Sequence, residues 1–342
     1  MEQRPLGHSG FTVGGLGLGT MVLGRWGNTD LAECHRIINR AIDAGINLVD
    51  TADMYGEGEN EQIVGDAIRG RRDEVVLCTK FHHPVGDHDD PTRRGNSRRW
   101  ILEAVDDSLR RLGVDHIDLY QAHRPDPEVP LEETVEALTD LVTAGKIRAW
   151  GTSTFPAEDI TRAHWIADRN GGQASVSEQP PYSILCRGIE RHVLPTARQL
   201  EIGVICWSPL SGGWLTGKYN RNEPAPAGSR GATNPDHFDG GNAAKFDAVE
   251  ALAAVADGAG LSLAHLALAW ICEHPAVTAA LIGPRTEAQL DDLLGAADVR
   301  LSSDVLDAID DVVAPGTSIN PADAGWTPPG LAAAQRRRSS PS

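Results

Sequence analysis

Four residues in this chain are of types that, brought together, can reduce or oxidise a carbon–oxygen bond: Asp50, Tyr55, Lys80 and His123. Asp50 ends the apolar run 46–50, and Tyr55 follows five residues later beside Gly56. Lys80 closes a second apolar run, 75–80, and His123 closes a third, 117–123. An acid, a phenol, an amine and an imidazole therefore stand at or just past the ends of three successive strand-like segments. A phenol beside an ammonium gives up its proton more readily, so Lys80 is expected to lower the pKa of Tyr55 toward neutrality. In that arrangement Tyr55 hands a proton to a carbonyl oxygen as hydride reaches the carbon. Asp50 fixes Lys80 and keeps it charged, and His123 orients the carbonyl and hydrogen-bonds the developing oxyanion. Singly, each residue has an ordinary reading: a helix cap, a rim aromatic, a snorkelling lysine, a core histidine. Their joint position at consecutive strand ends favours the chemical one.

Strand ends converge when parallel strands close into a barrel. Apolar strand-like runs occur at 16–19, 46–50, 75–80, 117–122, 147–152, 176–179, 203–208 and 279–283. Helical spacing of apolar residues fills the intervals at 31–42, 97–113, 131–144, 157–170, 188–200, 263–273 and 286–294. This alternation predicts an α/β fold, a (β/α)8 TIM barrel, with an N-terminal β-hairpin over 5–13 plugging its floor. Three stretches break the repeat, 82–96, 221–242 and 313–330, and are expected to be long functional loops on the C-terminal face. Residues 1–330 read as one barrel domain and 331–342 as a disordered tail.

At 342 residues the length suits one barrel with insertions. A net charge of −17 argues against nucleic acid or an anionic membrane as partner. No transmembrane run or signal peptide is read, and the five cysteines show no CxxC spacing, so reduced thiols in a cytoplasmic protein are expected.

The segment around Tyr55, with Asp50, Lys80 and His123 in order and context, resembles the aldo-keto reductase family over nearly the whole chain. Gln179-Pro180-Pro181-Tyr182 and Trp207-Ser208-Pro209-Leu210 are similar to the bacterial and potassium-channel-β-subunit-like branch. The resemblance implies NADP(H), preferred over NAD(H), bound in extended form without a Rossmann fold. The glycine-rich run 13–19 is accordingly no dinucleotide fingerprint: its spacing is not GxGxxG and no helix opens after it. By the same resemblance Gly19, Thr20 and Met21 lie under the nicotinamide ribose with Asp50, and Ser153, Thr154 and Gln179 serve the carboxamide. Trp207 stacks on the nicotinamide. Ser208, Pro209, Leu210 and Gly212 line the pyrophosphate, where backbone N–H groups could bind it. Lys218 and Arg230 add charge there. Gly283, Arg285, Gln289 and Asp292 serve the adenosine end, Arg285 with Thr286 gripping the 2′-phosphate.

Trp26, Tyr55, Phe81, His82, His123, Arg124 and Tyr182 are expected to line the mouth for a small-molecule carbonyl substrate. The group His82, His83, Asp87, His88, Asp89 and Asp90 matches no zinc spacing and reads as substrate loop, with no metal expected. Two rival readings stand beside the reductase. One is a cofactor-binding regulatory subunit with weak turnover. The other is a barrel isomerase or lyase acting on phosphorylated sugars. The physiological carbonyl, the preferred direction and the oligomeric state, a homo-oligomer included, stay open.

Overall fold

The structure is a computed structural model that describes residues 1–86, 90–221, 223–233 and 242–337. The first two strands, β1 (Gln3–Pro5) and β2 (Thr12–Gly14), pair antiparallel as a hairpin. Eight further strands close into a parallel barrel: β3 (Leu16–Gly19), β4 (Leu48–Asp50), β5 (Val76–Phe81), β6 (Ile117–Ala122), β7 (Ile147–Ser153), β8 (Ser177–Gln179), β9 (Gly203–Cys206) and β10 (Ala279–Ile282). Each strand pairs with the next, and β10 closes on β3 with Ala280 opposite Leu16. The chain is therefore a (β/α)8 TIM barrel with an N-terminal hairpin.

Alternation divides the strand side chains between two cores. Leu48, Val76, Cys78, Leu119, Val176 and Ile205 face inward with Leu6 and Val13 of the hairpin, so the hairpin fills the floor. Close approach there needs glycine. Gly7 has φ 55°, and a Cβ on it would lie 2.4 Å from the Val176 carbonyl; a Cβ on Gly203 would lie 2.5 Å from Leu6. The larger outer core joins the strands to the helices.

Twelve helices are described: α1 (Leu31–Asp43), α2 (Glu59–Ala67), α3 (Arg98–Leu112), α4 (Leu131–Thr143), α5 (Ala157–Asn170), α6 (Val193–Gln199), α7 (Arg230–Thr233), α8 (Ala243–Gly258), α9 (Leu263–Glu273), α10 (Glu287–Leu294), α11 (Ser303–Val312) and α12 (Ala333–Arg336). Side-chain caps start several of them: Asp30 on α1, Ser97 on α3, Ser262 on α9, Thr286 on α10. The sequence reading missed α2, α8 and α11, and the short α7 inside the stretch 221–242. In α8 alanine occupies so many positions that apolar and polar faces contrast little. The stretch 188–200 is not one helix but a 3₁₀ turn, Gly188–Arg191, followed by α6. Within the tail, α12 is helical, and 338–342 lie outside the described residues. All five cysteines are unpaired, and no single helix among the described residues is long and apolar enough to cross a membrane.

Candidate active site

Register aligns the strand ends at the mouth. Gly19 pairs with Asp50, Lys80 with Gln121, and Ser153 with Gln179. Asp50 closes β4, and Lys80 stands one layer above Cys78 on the inward face of β5. The Lys80 side chain is 0% exposed and that of Asp50 3%. Lys80 Nζ donates to Asp50 Oδ1 at 2.5 Å and to the Thr51 carbonyl at 2.8 Å, and lies 3.5 Å from Tyr55 Oη. The other Asp50 oxygen accepts from Gln179 Nε2 at 2.9 Å and Gln121 Nε2 at 3.2 Å. A buried charge is tolerated when it is paired and its remaining lone pairs are satisfied, which is the arrangement here.

Tyr55 follows β4 in a 3₁₀ turn whose Gly56 and Glu57 have positive φ. That tight reversal turns the phenol back over the mouth. The Tyr55 ring lies 5.9 Å from the His123 ring and 5.9 Å from the Trp26 ring. His123, just past β6, is held by its N–H on the Phe81 carbonyl. The structure thus brings Asp50, Tyr55, Lys80 and His123 together.

The electrostatics modify one expectation. Burial pushes the Tyr55 phenol above its usual pKa; Lys80 opposes this and Asp50 adds to it, so the net shift is upward rather than toward neutrality. Burial, the largest single influence, lowers the Lys80 pKa, but the charge and hydrogen bond of Asp50 together with Tyr55 and Cys78 more than offset it and the ammonium is raised overall. Burial, with Lys80 and Arg124 nearby, drops His123 well below the ordinary histidine value. At neutral pH the site therefore holds a protonated phenol, an ammonium and a neutral imidazole.

Thr20 is buried, with its hydroxyl 2.6 Å from Asn60 Oδ1, while Met21 is half-buried beside it. Gly19 and Gly283 stand together, a Cβ on Gly283 reaching 3.7 Å from the Gly19 carbonyl. Ser153 Oγ donates to the Gln179 carbonyl at 2.8 Å. Thr154 has φ 63° and accepts from Trp207 Nε1 at 3.4 Å. The Arg124 guanidinium lies 5.7 Å from the centre of the Trp207 ring.

After β9 the chain makes a compact turn. Ser208 has φ 57° and its Oγ accepts the Gly212 N–H at 3.0 Å; Pro209 is buried, and Leu210 packs on the outer core. The N–H groups of Ser211, Gly213 and Leu215 bond back to Ser208 and Leu210. These amides are therefore not the free anion donors expected from the sequence. Charge at this end comes instead from side chains. Lys218 is exposed, and Arg285 Nη1 donates to the Gly228 carbonyl at 2.6 Å, tying its loop to the segment that carries Arg230. Arg230 and Arg285 are near enough that each feels the other's charge. Gln289 Oε1 accepts the Arg285 N–H, whereas Asp292 is exposed and faces His265.

Two substrate assignments are corrected. Phe81 is 0% exposed and packs on Tyr120 in the outer core, because odd and even positions on β5 face opposite ways and Lys80 takes the inward one. Tyr182 is likewise buried, packed on Trp270 with its hydroxyl on Glu190. Trp26 is 46% exposed at the mouth. His82 bonds Asn96 through Nδ1 at 2.9 Å. His83, not singled out as a mouth residue, stacks edge-on to His123 at 5.0 Å, its pKa lowered to about 4 chiefly by burial. Asp87, His88 and Asp89 lie outside the described residues.

Sequence reasoning also missed Gln121, Asn60 and Glu178. Strand alternation could have found Gln121, which shares the inward face with His123. Asn60 donates to the Thr20 and Leu23 carbonyls and sits 2.6 Å from the Thr51 hydroxyl, tying the loops after β3 and β4. Glu178 is fully buried against Thr152 and the Phe155 N–H.

The profile of the Aldo/keto reductase family matches residues 15–314. The chain is 38% identical to the uncharacterized oxidoreductase YrpG of Bacillus subtilis over 321 residues, 91% of this chain and 96% of that one. It is 37% identical to a probable voltage-gated potassium channel subunit beta of Arabidopsis thaliana, over 92% of this chain and 97% of that protein. It is also 37% identical to the aldo-keto reductase YhdN of Bacillus subtilis, over 86% and 88%. With this extent of match and a closed barrel carrying the site at its mouth, the chain belongs to the aldo/keto reductase family, a family of oxidoreductases acting on carbonyls.

Proposed function

We propose that the chain reduces an aldehyde or ketone to an alcohol with NADPH, reversibly. The observation that carries this reading is the Tyr55 hydroxyl 3.5 Å from a buried Lys80 ammonium that is itself paired with Asp50. NADPH, when bound, supplies the hydride. Burial keeps the Tyr55 phenol protonated at neutral pH, so it meets the substrate as an acid. As its proton moves to the carbonyl oxygen, the phenolate left behind gains the field of Lys80 in a dry site, where a charge acts strongly. Asp50, held by Gln121 and Gln179, fixes the ammonium in place. His123, neutral and facing Tyr55, offers a hydrogen bond to the carbonyl oxygen.

The residues present fit a phosphorylated dinucleotide. Lys218, Arg230 and Arg285 have no ion-pair partner among the described residues, in a chain whose net charge is −17. Unpaired cations on adjoining loops suit phosphates, and the planar fork of Arg285 suits the 2′-phosphate of NADP(H) over NAD(H). Ser153 and Gln179 supply polar groups for the carboxamide, and Trp207 a flat ring. Similarity to probable channel β subunits favours a second reading, a cofactor-binding regulatory subunit.

The test is NADPH consumption with an activated aromatic aldehyde, wild type beside Tyr55→Phe. Losing the proton donor is expected to lower kcat by about 10²–10⁴-fold, while NADPH still quenches protein fluorescence. Binding without turnover in the wild type would shift the reading to the regulatory subunit. Equal turnover in both proteins would remove Tyr55 from the chemistry.

A further inference from the structure

Behind the segment that links Asp50 to Tyr55 lies a cavity of about 250 Å³, between that segment, α3 and the loop after β5. Its walls include none of Asp50, Tyr55, Lys80 or His123. Three of the residues that line it carry four buried polar atoms without a hydrogen-bond partner of normal geometry: both carboxyl oxygens of Asp53, the indole Nε1 of Trp100 and Nε of Arg93. Asp53 is 0% exposed and Trp100 1%. Native proteins seldom leave such groups unsatisfied, and a cluster of them around one space marks that space as built for a polar occupant.

The chemistry of the walls selects the occupant. Trp100 Nε1 and Arg93 Nε can only donate. Arg111, with Nε on Glu61, brings a second guanidinium. Asp53 is buried and faces Glu61, which together hold its carboxyl well above the usual range; Arg111, the Met54 N–H and Lys80 oppose this. Burial and the charge of Glu61 thus favour the protonated form of Asp53, in which it is a further donor. Of the acids on the rim, Glu57 pairs with Arg25 at 3.2 Å, and Asp107 pairs with Arg110 at 2.6 Å and with Arg93 Nη2 at 3.8 Å; Arg93 Nη2 also meets Glu103 at 2.5 Å, which leaves Arg93 Nε as its unsatisfied donor. Both guanidiniums are ion-paired, Arg93 with Glu103 and Arg111 with Glu61, so it is the two buried N–H donors left without a partner, Trp100 Nε1 and Arg93 Nε, that disfavour a metal cation and suit the oxygens of an acceptor such as a carboxylate. Val85, Ala104 and the Trp100 ring supply an apolar wall.

We propose that this cavity binds a small organic carboxylate, its oxygens taking the N–H groups of Arg93 and Trp100 and its short apolar body lying against Val85 and Ala104. Asp53 couples the site to the mouth. Its backbone N–H donates to the Lys80 carbonyl at 3.1 Å, and it lies two residues before Tyr55. An occupant held by Asp53 therefore bears on the backbone that places both groups.

The test is a butyrate titration of the full ¹⁵N-labelled chain, following the Trp100 indole N–H resonance, assigned by its loss in Trp100→Phe. A saturable shift is expected. Arg93→Gln should weaken butyrate about tenfold through loss of a charge-assisted bond. Asp53→Leu should abolish the shift, which keeps the proposal testable should Arg93→Gln fail to fold. Three outcomes overturn it: no shift, a linear shift reproduced by chloride, or a saturable shift on other indole resonances that both variants leave intact.

Discussion

The two ends of this barrel are made by the same strands and obey opposite rules. On β5, Cys78 sits in the apolar floor and Lys80, two residues on, in the charged mouth. On β6, Leu119 and Gln121 divide in the same way. The floor is sealed by Leu6 and Val13 of the hairpin, and its contacts are interchangeable dispersion contacts. The mouth holds an ion pair out of water, and each bond there depends on another: Asp50 accepts at once from Lys80, Gln121 and Gln179. A non-directional floor can fix strand register while a directional mouth performs chemistry, because register set below positions the donors above.

The largest break in that contrast should come from Lys80→Met. It leaves the Asp50 carboxylate buried with two amide donors and no countercharge, and should cost about 3–5 kcal/mol by urea unfolding. Adding Asp50→Asn should recover part of the loss, since the orphaned charge is then gone. A cost near zero for Lys80→Met would mean that the mouth is wetter than its burial implies. The floor should respond differently. Leu6→Ala should cost about 3 kcal/mol, as for other buried leucines, yet leave NADPH affinity unchanged below the melting transition. Weakened NADPH binding at full folding would show that the two ends are coupled rather than merely stacked.

Farther out, where cations stand exposed or half-buried on loops, effects should be smaller and selective. Arg285→Ala should lose about 1.5–3 kcal/mol of NADPH affinity, measured by fluorescence titration, and little of NADH affinity. An equal loss for both nucleotides would move Arg285 from the 2′-phosphate to a shared part of the cofactor.

The same contrast explains what the sequence made legible. Strands and most helices were readable because apolar residues recur with a fixed period, and period determines which face is buried. Asp50, Lys80 and His123 were readable because a charged or titratable group at the end of an apolar run is conspicuous. Phe81 was misplaced by ignoring that its neighbour Lys80 already took the inward face. The turn amides after β9 were misjudged because a run of small residues does not say whether its N–H groups point outward or back on Ser208 and Leu210. The upward shift of Tyr55 was missed because burial, the larger effect, is a property of packing, whereas the proximity of Lys80 is suggested by spacing alone. The Asp53 cavity joins a strand-end loop to α3, elements distant in sequence with no shared motif.

Glu178 offers the finest test, since it lies between the two regimes. It belongs to the polar end of β8 but faces the apolar outer layer, with no ion-pair partner among the described residues. Its carboxyl takes the Thr152 hydroxyl at 2.5 Å and the Phe155 N–H at 3.1 Å, beside Thr154, whose positive φ carries the bond to Trp207. Burial raises its pKa to about 8 despite those hydrogen bonds. An acid with a raised folded pKa binds more protons folded than unfolded, so its contribution is full below about pH 4.5 and is lost as pH rises through about 8. Between those values stability should fall by up to about 1.4 kcal/mol per pH unit from this group. Glu178→Gln keeps an acceptor for the Phe155 N–H, turns its amide N–H toward the Thr152 hydroxyl oxygen in place of the acceptor that was there, and cannot ionise, so its urea stability should fall less steeply over the same window. Equal slopes in the two proteins would mean that Glu178 ionises without penalty, and that water or Arg124 reaches a carboxyl the packing places in the dry layer.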